Sequence, residues 1–100
     1  MKRYEIWWAN VMFEDTNEVK RRPIMIWNDT AFVIAYKMTT TDRGETREEF
    51  RVEHWKEAGL EKPTCIRISK VLRLKKTDLI EKNGELDYRD QLRFELRIAG

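Results

Sequence analysis

Cysteine, histidine, glycine and proline are all scarce in this 100-residue chain: one cysteine, one histidine, four glycines and two prolines. A single thiol, Cys65, cannot build a disulfide framework, and with His54 as the only imidazole there is no Cys/His set of the kind that holds zinc. No Walker or dinucleotide glycine pattern is present, nor any internal repeat, so the sequence implies no metal and no cofactor. The longest unbroken apolar run, Ala31 to Tyr36, falls far short of the roughly 20 residues a membrane span needs. Glu5 interrupts the N-terminal region where a signal peptide would carry its apolar core, so the expectation is a cytoplasmic protein with no membrane partner. What the chain does have is 41% hydrophobic residues and 11% aromatics, enough to exclude disorder although 38% of the residues are charged. One core, and hence one domain spanning residues 1–100, is what this length supports.

The stretch Tyr4 to Phe13 is aromatic and β-branched, with only Glu5 and Asn10 as polar interruptions, which predicts a strand covered on both faces. Glu14 to Arg22 is polar throughout and reads as a surface loop. Pro23 forces Arg22 into an extended conformation, and Ile24 to Trp27 reads as a second strand ending at Asn28-Asp29. A third strand, Ala31 to Met38, follows at once, and links this short require an antiparallel meander with no helix in the first forty residues. Further on, Phe50 to Trp55 alternates as a fourth strand. Thr64 to Leu74 alternates too, with a phase break near Ser69-Lys70 that predicts a bulge. Thr77 to Lys82 reads as a short helix capped by Thr77 and stopped at Asn83-Gly84. The last segment fits two patterns: Leu92, Phe94, Leu96 and Ile98 have strand period, whereas Tyr88, Leu92 and Leu96 share one helical face behind an Asp87 cap. Many short strands with one or two small helices point to a small antiparallel barrel or curled sheet.

The net charge of +2 conceals an uneven distribution. Residues 62–76 carry six basic residues and no acid: Lys62, Arg67, Lys70, Arg73, Lys75 and Lys76. Folded beside Lys20-Arg21-Arg22, this stripe would form a positive groove for phosphates, with Trp7, Trp8, Trp27 and Trp55 available to stack on bases. On composition alone, a solvated basic face over a tryptophan-rich core is the favoured reading.

Several segments, in order, resemble one family. KRYEIWWANV (Lys2 to Val11) is similar to the first strand of the MazF/PemK toxins of bacterial toxin-antitoxin pairs. RRPIMIWND (Arg21 to Asp29) resembles that family's Arg-Pro strand, and KMTTTD its Ile-Thr strand end. GLEKPTCIRISKVLRLKKTDL resembles its Arg-bearing strand with a short helix behind, and LDYRDQLRFEL its terminal amphipathic helix. The resemblance covers most of the chain and implies a mainly β fold: an SH3-like, CcdB/MazF/PemK-like barrel with a short helix and a C-terminal helix. Departures are visible as well. Tyr4 stands where the family usually has Gly, Glu5 where it has Asp, and Ser69 replaces an acid found in some members. The loop EDTNEVKRR also lacks the usual Gly, His or Ser, Glu, Gln run.

The resemblance further implies an endoribonuclease, an mRNA interferase cleaving single-stranded RNA without metal. In that reaction the ribose 2′-hydroxyl attacks its own 3′-phosphate. Carried over position by position, it puts Arg22 and Thr39 at the scissile phosphate and makes Arg67 a third functional residue. An Arg fork suits two phosphate oxygens, but its pKa above about 12 makes it a poor proton donor. A salt bridge from Arg22 to Asp15 or Glu18 is the competing reading. Glu18 is the candidate general base, while Lys20, Arg21, Lys70 and Arg73 are the candidate RNA-binding cations. His54 falls in an acidic segment that favours a structural role, and Cys65 reads as a small buried hydrophobe. The implied partners are single-stranded RNA, a cognate antitoxin and a second copy of the chain in a homodimer. The alternative on the same fold is a non-catalytic toxin acting by protein contact, as gyrase poisons do, or a module that binds nucleic acid without cutting it.

Overall fold

The computed structural model describes residues 1–13, 15–40 and 46–100. Six antiparallel strands and a terminal helix follow one another: β1 (Glu5–Phe13), β2 (Glu18–Asp29), β3 (Val33–Thr39), β4 (Glu49–Arg51), β5 (Cys65–Leu74), β6 (Leu79–Glu85) and α1 (Tyr88–Ala99). They form one sheet in the order β4-β5-β3-β2-β1-β6, so the first three strands are the expected meander and the architecture is mainly β. Among the described residues no helix is long and apolar enough to cross a membrane.

Ile6, Ala9 and Val11 of β1 and Ile24, Met25 and Ile26 of β2 are buried, on both faces of the sheet. One cluster gathers Ile6, Met25, Met38, Phe50, Ile66 and Phe94 beneath α1. The other gathers Ala9, Val11, Ile24, Ile26, Val33, Ala35 and Leu74 inside the curl of the sheet. That curl depends on β5. Its register against β3 jumps from Tyr36 opposite Val71 to Lys37 opposite Arg67, which leaves Ile68 to Lys70 as the bulge the phase break predicts. A bulge bends and twists the strand that carries it, here bringing Leu72 and Leu74 against the second cluster.

The sheet is not closed by strand pairing between β4 and β6. The chain after β4 bridges part of the gap. Val52 N–H still bonds Thr64 O, but the Glu53 and His54 amides turn to the buried Asp90 carboxylate at 3.3 and 2.8 Å. This cuts the fourth strand shorter than the predicted Phe50–Trp55. The turn that replaces it brings Ala58 against Gly84 of β6, so tightly that a Cβ on Gly84 would stand 1.9 Å from the Ala58 carbonyl oxygen.

Two expectations are corrected here. The first loop is shorter than Glu14–Arg22, because β2 starts at Glu18 and pairs with β1 as far as Phe13. Asn17, at φ 57°, makes the tight reversal. The Thr77–Lys82 helix is replaced by a single 3-10 turn, Lys76–Asp78, preceded by Lys75 rather than capped by Thr77. Residues from Leu79 onward then join the free edge of β1, where pairing along five positions, with two register shifts, outweighs a weak helical tendency. The Tyr88–Leu92–Leu96 face of α1 points outward, with exposures of 69, 47 and 76%, while Asp90 and Phe94 face the core. The Asp90 bonds to the turn and the Phe94 contacts with Trp27, Tyr36 and Phe50 fix that rotation. Asp87 caps the helix as expected, accepting from Arg89 N–H. Cys65 is a buried thiol. Glu14 and the polar stretch around Gly44 lie outside the described residues.

Tyr4 is the most unusual residue of the scaffold. It holds φ 75°, in the left-handed region that a glycine enters without strain. A ring edge-on to Trp27 at 5.7 Å and a hydroxyl donating to Glu95 Oε1 at 2.7 Å tie β1 to α1 and offset that strain.

Two outcomes follow from these contacts. Gly84→Ala should cost about 2–3 kcal/mol of stability, measured by urea unfolding, because backbone must move to admit the methyl group. The Arg89 side-chain and amide bonds hold Asp87 at about 2, below its ordinary 3.8. Its stabilising contribution is therefore complete above the unfolded value and lost as pH falls through about 2. An acid titration followed by far-UV circular dichroism should show that loss in wild type and not in Asp87→Ala.

Candidate RNA-binding cleft

The register of three neighbouring strands assembles the site. Ile24 of β2 lies opposite Lys37 of β3, and Lys37 lies opposite Arg67 of β5. Side chains two residues apart on a strand share a face, so Arg22 joins Ile24 and Thr39 joins Lys37 on that side of the sheet. Beneath them, Arg22 pairs with Ala9 and Pro23 with Trp8 of β1. Arg22, Pro23, Lys37 and Thr39, with Trp8 and Phe13, line an open cleft of about 410 Å³.

Two further hollows extend it. One of about 400 Å³ shares Phe13 and Lys37 and continues to Asp15, Arg67, Ser69 and Lys70. The other, about 230 Å³, shares Trp8 and Pro23 and reaches Leu60, Thr64 and Asn83. The result is a groove with Arg22 and Thr39 at its middle, a basic polar arm on one side and a more apolar arm on the other.

Its cations lie close together. Lys37 Nζ sits over the Phe13 ring, 4.0 Å from the centroid, and the Arg22 guanidinium lies 5.5 Å from the same ring. Burial, then Arg67, Lys70 and Arg22, lower the Lys37 pKa from its ordinary 10.5, with Asp15 opposing. Like charges directly across a ladder are unfavourable, and here the Lys37–Arg67 pair is flanked by two more cations. Arg22 donates to the Arg21 carbonyl at 2.9 Å. Among the described residues it forms no ion pair, so the competing salt bridge to Asp15 or Glu18 is not made.

The other candidates divide. Arg21 and Lys70 line the groove, although Arg21 also pairs with Glu81 at 2.5 Å and lies over the Trp8 ring. Glu18 does not line it and instead faces Lys20 at 3.5 Å, while Lys20 Nζ lies 5.3 Å from the centroid of the Phe13 ring that walls the cleft. Arg73 covers the Phe32 ring at the far end of β5. Trp27 is packed among Tyr4, Tyr36 and Phe94, which leaves Trp8 and Phe13 as the aromatic surfaces of the groove. His54 stands apart from it, beside Glu53 and Asp90. Those three residues offer ligand atoms within 4.8 Å of one another, but the Asp90 oxygens already accept from two backbone amides and Arg93. The sequence reading overlooked Lys37. Its signal was its place two residues before Thr39 on an alternating strand.

Residues 2–99 match the profile of the PemK-like, MazF-like toxins of type II toxin-antitoxin systems. The chain belongs to that family. A search of curated proteins returns no match. Among solved structures, the Mycobacterium tuberculosis toxin MazF-mt6 superposes with a TM-score of 0.75 at 23% identity, over 95% of this chain and 92% of that one. An endoribonuclease in complex with its cognate antitoxin, from a mycobacterial species, superposes at 0.77 with 17% identity, over 99% of this chain and 91% of its own. At such identities these neighbours establish the shared fold. For a PemK-like toxin, the Tyr4 backbone explains one departure: the position demands a left-handed conformation, and this chain meets it with a packed tyrosine in place of the family's usual glycine.

If the crowded cations cost stability, Lys37→Met should raise it by about 0.5 kcal/mol at low salt. Urea midpoints of the two proteins should converge as ionic strength rises, because salt screens the repulsion that the substitution removes.

Proposed function

We propose that this toxin is an endoribonuclease that cleaves single-stranded RNA in the cytoplasm by attack of the ribose 2′-hydroxyl on the adjacent 3′-phosphate, leaving a 2′,3′-cyclic phosphate and a 5′-hydroxyl. The observation that carries the reading is that Arg22 and Thr39, from different strands, line one open cleft together with Lys37. Membership of the toxin family and the fold shared with a known endoribonuclease support it.

Each side chain has a role suited to its chemistry. Arg22 presents a planar fork to two nonbridging oxygens, from a strand position stiffened by Pro23. The Thr39 hydroxyl donates to a nonbridging oxygen, and Arg67 adds charge from the neighbouring hollow. Together these groups stabilise the phosphorane, whose extra negative charge develops only in the transition state. Trp8 and Phe13 offer faces to flanking bases. Deoxyribose lacks the nucleophile, so DNA of the same sequence would bind the groove without being cut. In this reading the toxin works as a homodimer, and a cognate antitoxin with an acidic segment silences it by covering the cations.

The test is incubation with long single-stranded RNA in EDTA, followed by end-group analysis. Wild type should release cyclic-phosphate ends, and Arg22→Ala and Thr39→Ala should each lower cleavage by about 100-fold or more. Absence of cleavage across diverse RNA sequences, or equal cleavage by both variants, would refute the assignment.

A further inference from the structure

We propose that Lys37 is the general acid of the cleft, donating a proton from Nζ to the departing 5′ oxygen. The inference rests on the ribonuclease reading and adds a group that neither Arg22 nor Thr39 can replace.

The leaving group is an alkoxide if nothing protonates it, and alkoxides leave poorly. The groove holds few groups able to help. A guanidinium is a poor proton donor, so Arg21, Arg22 and Arg67 stabilise charge without transferring a proton. Thr39 and Ser69 hydroxyls are far too weak as acids. Asp15 lines only the basic arm and not the central cleft. His54 belongs to the Glu53–Asp90 cluster away from the groove, and Glu18 is turned to Lys20.

Of the lysines that line the groove, Lys37 combines position with a transferable proton, because Lys70 and Lys62 line only its outer arms. It borders both the central cleft and the basic arm, so a phosphate between Arg22 and Arg67 would lie beside it. Every element around it contributes a facing group: Phe13 from β1, Asp15 from the β1–β2 turn, Arg22 from β2, and Arg67 and Lys70 from β5. Three of these are cations and one is an anion, and together with burial they loosen the ammonium proton relative to a free lysine. The Phe13 face meanwhile keeps the resting ammonium form in place.

The step balances without any further cofactor. The O2′–P bond forms as the 2′ proton passes to water, and the P–O5′ bond breaks with its electron pair remaining on oxygen. That oxygen takes a proton from Nζ, leaving a 5′-hydroxyl and a neutral amine that solvent protonates again.

A substrate with sulfur in place of the bridging 5′ oxygen provides the test, because a thiolate leaves without a proton. On ordinary RNA, Lys37→Arg and Lys37→Ala should lower kcat by about 10²–10⁴-fold, with Lys37→Arg keeping KM near the wild-type value. On the sulfur substrate both variants should cleave as fast as wild type, while Arg22→Ala stays slow on both. Wild-type speed for Lys37→Arg on ordinary RNA would overturn the assignment, as would a deficit that sulfur does not repair. In either case wild-type cleavage would leave the ribonuclease reading standing. A wild type inert toward both substrates would remove that reading and this one together.

Discussion

The interaction on which the rest depends is the side-by-side placement of cations across β2, β3 and β5. Register alone puts Lys37 against Arg67, and strand alternation adds Arg22 and Thr39 to the same face. Such an arrangement lowers stability in the free protein, and its local cost is covered by two apolar clusters on opposite sides of the sheet. Ile24, directly across from Lys37, is fully buried in one of them. The strands therefore cannot slip to separate their charges without exposing every side chain that faces that core.

Three unusual contacts brace the scaffold around these strands. The Asp90 carboxylate diverts the chain after β4, and Gly84 admits the resulting turn at a distance no other residue allows. Tyr4 accepts a left-handed backbone so that its ring and hydroxyl join β1 to the helix. Each of these is a long-range contact made by a residue with ordinary local propensities.

That difference explains what the sequence disclosed. The meander, the bulge of β5, the Asp87 cap and the burial of Cys65 are written in local pattern: alternation, its interruption, a capping carboxylate and a lone small thiol. Arg22 and Thr39 were legible only through the family's motif order, and the structure brings them to one cleft. Lys37 opens the KMTTTD segment but took no role from it, and its place in the cleft emerges from the pairing of β3 with β5. The strand Leu79–Glu85 was hidden because its partner, the free edge of β1, lies some seventy residues away in sequence. The rotation of α1 was hidden for a similar reason. Tyr88, Leu92 and Leu96 make the more regular stripe, yet an acid, Asp90, occupies the core side because the backbone amides it bonds exist only after β4 has turned.

The crowding around Lys37 also couples folding to occupancy. Any multivalent anion that settles among Arg22, Lys37, Arg67 and Lys70 binds the native state and has no comparable site on the unfolded chain. By mass action it must therefore raise the unfolding temperature as its concentration rises. A nucleic-acid strand and an acidic polypeptide would both act in this way, so the protein in its bare form is its own most fragile state. For a toxin, this means that the molecule freed of every polyanion is the one most readily unfolded.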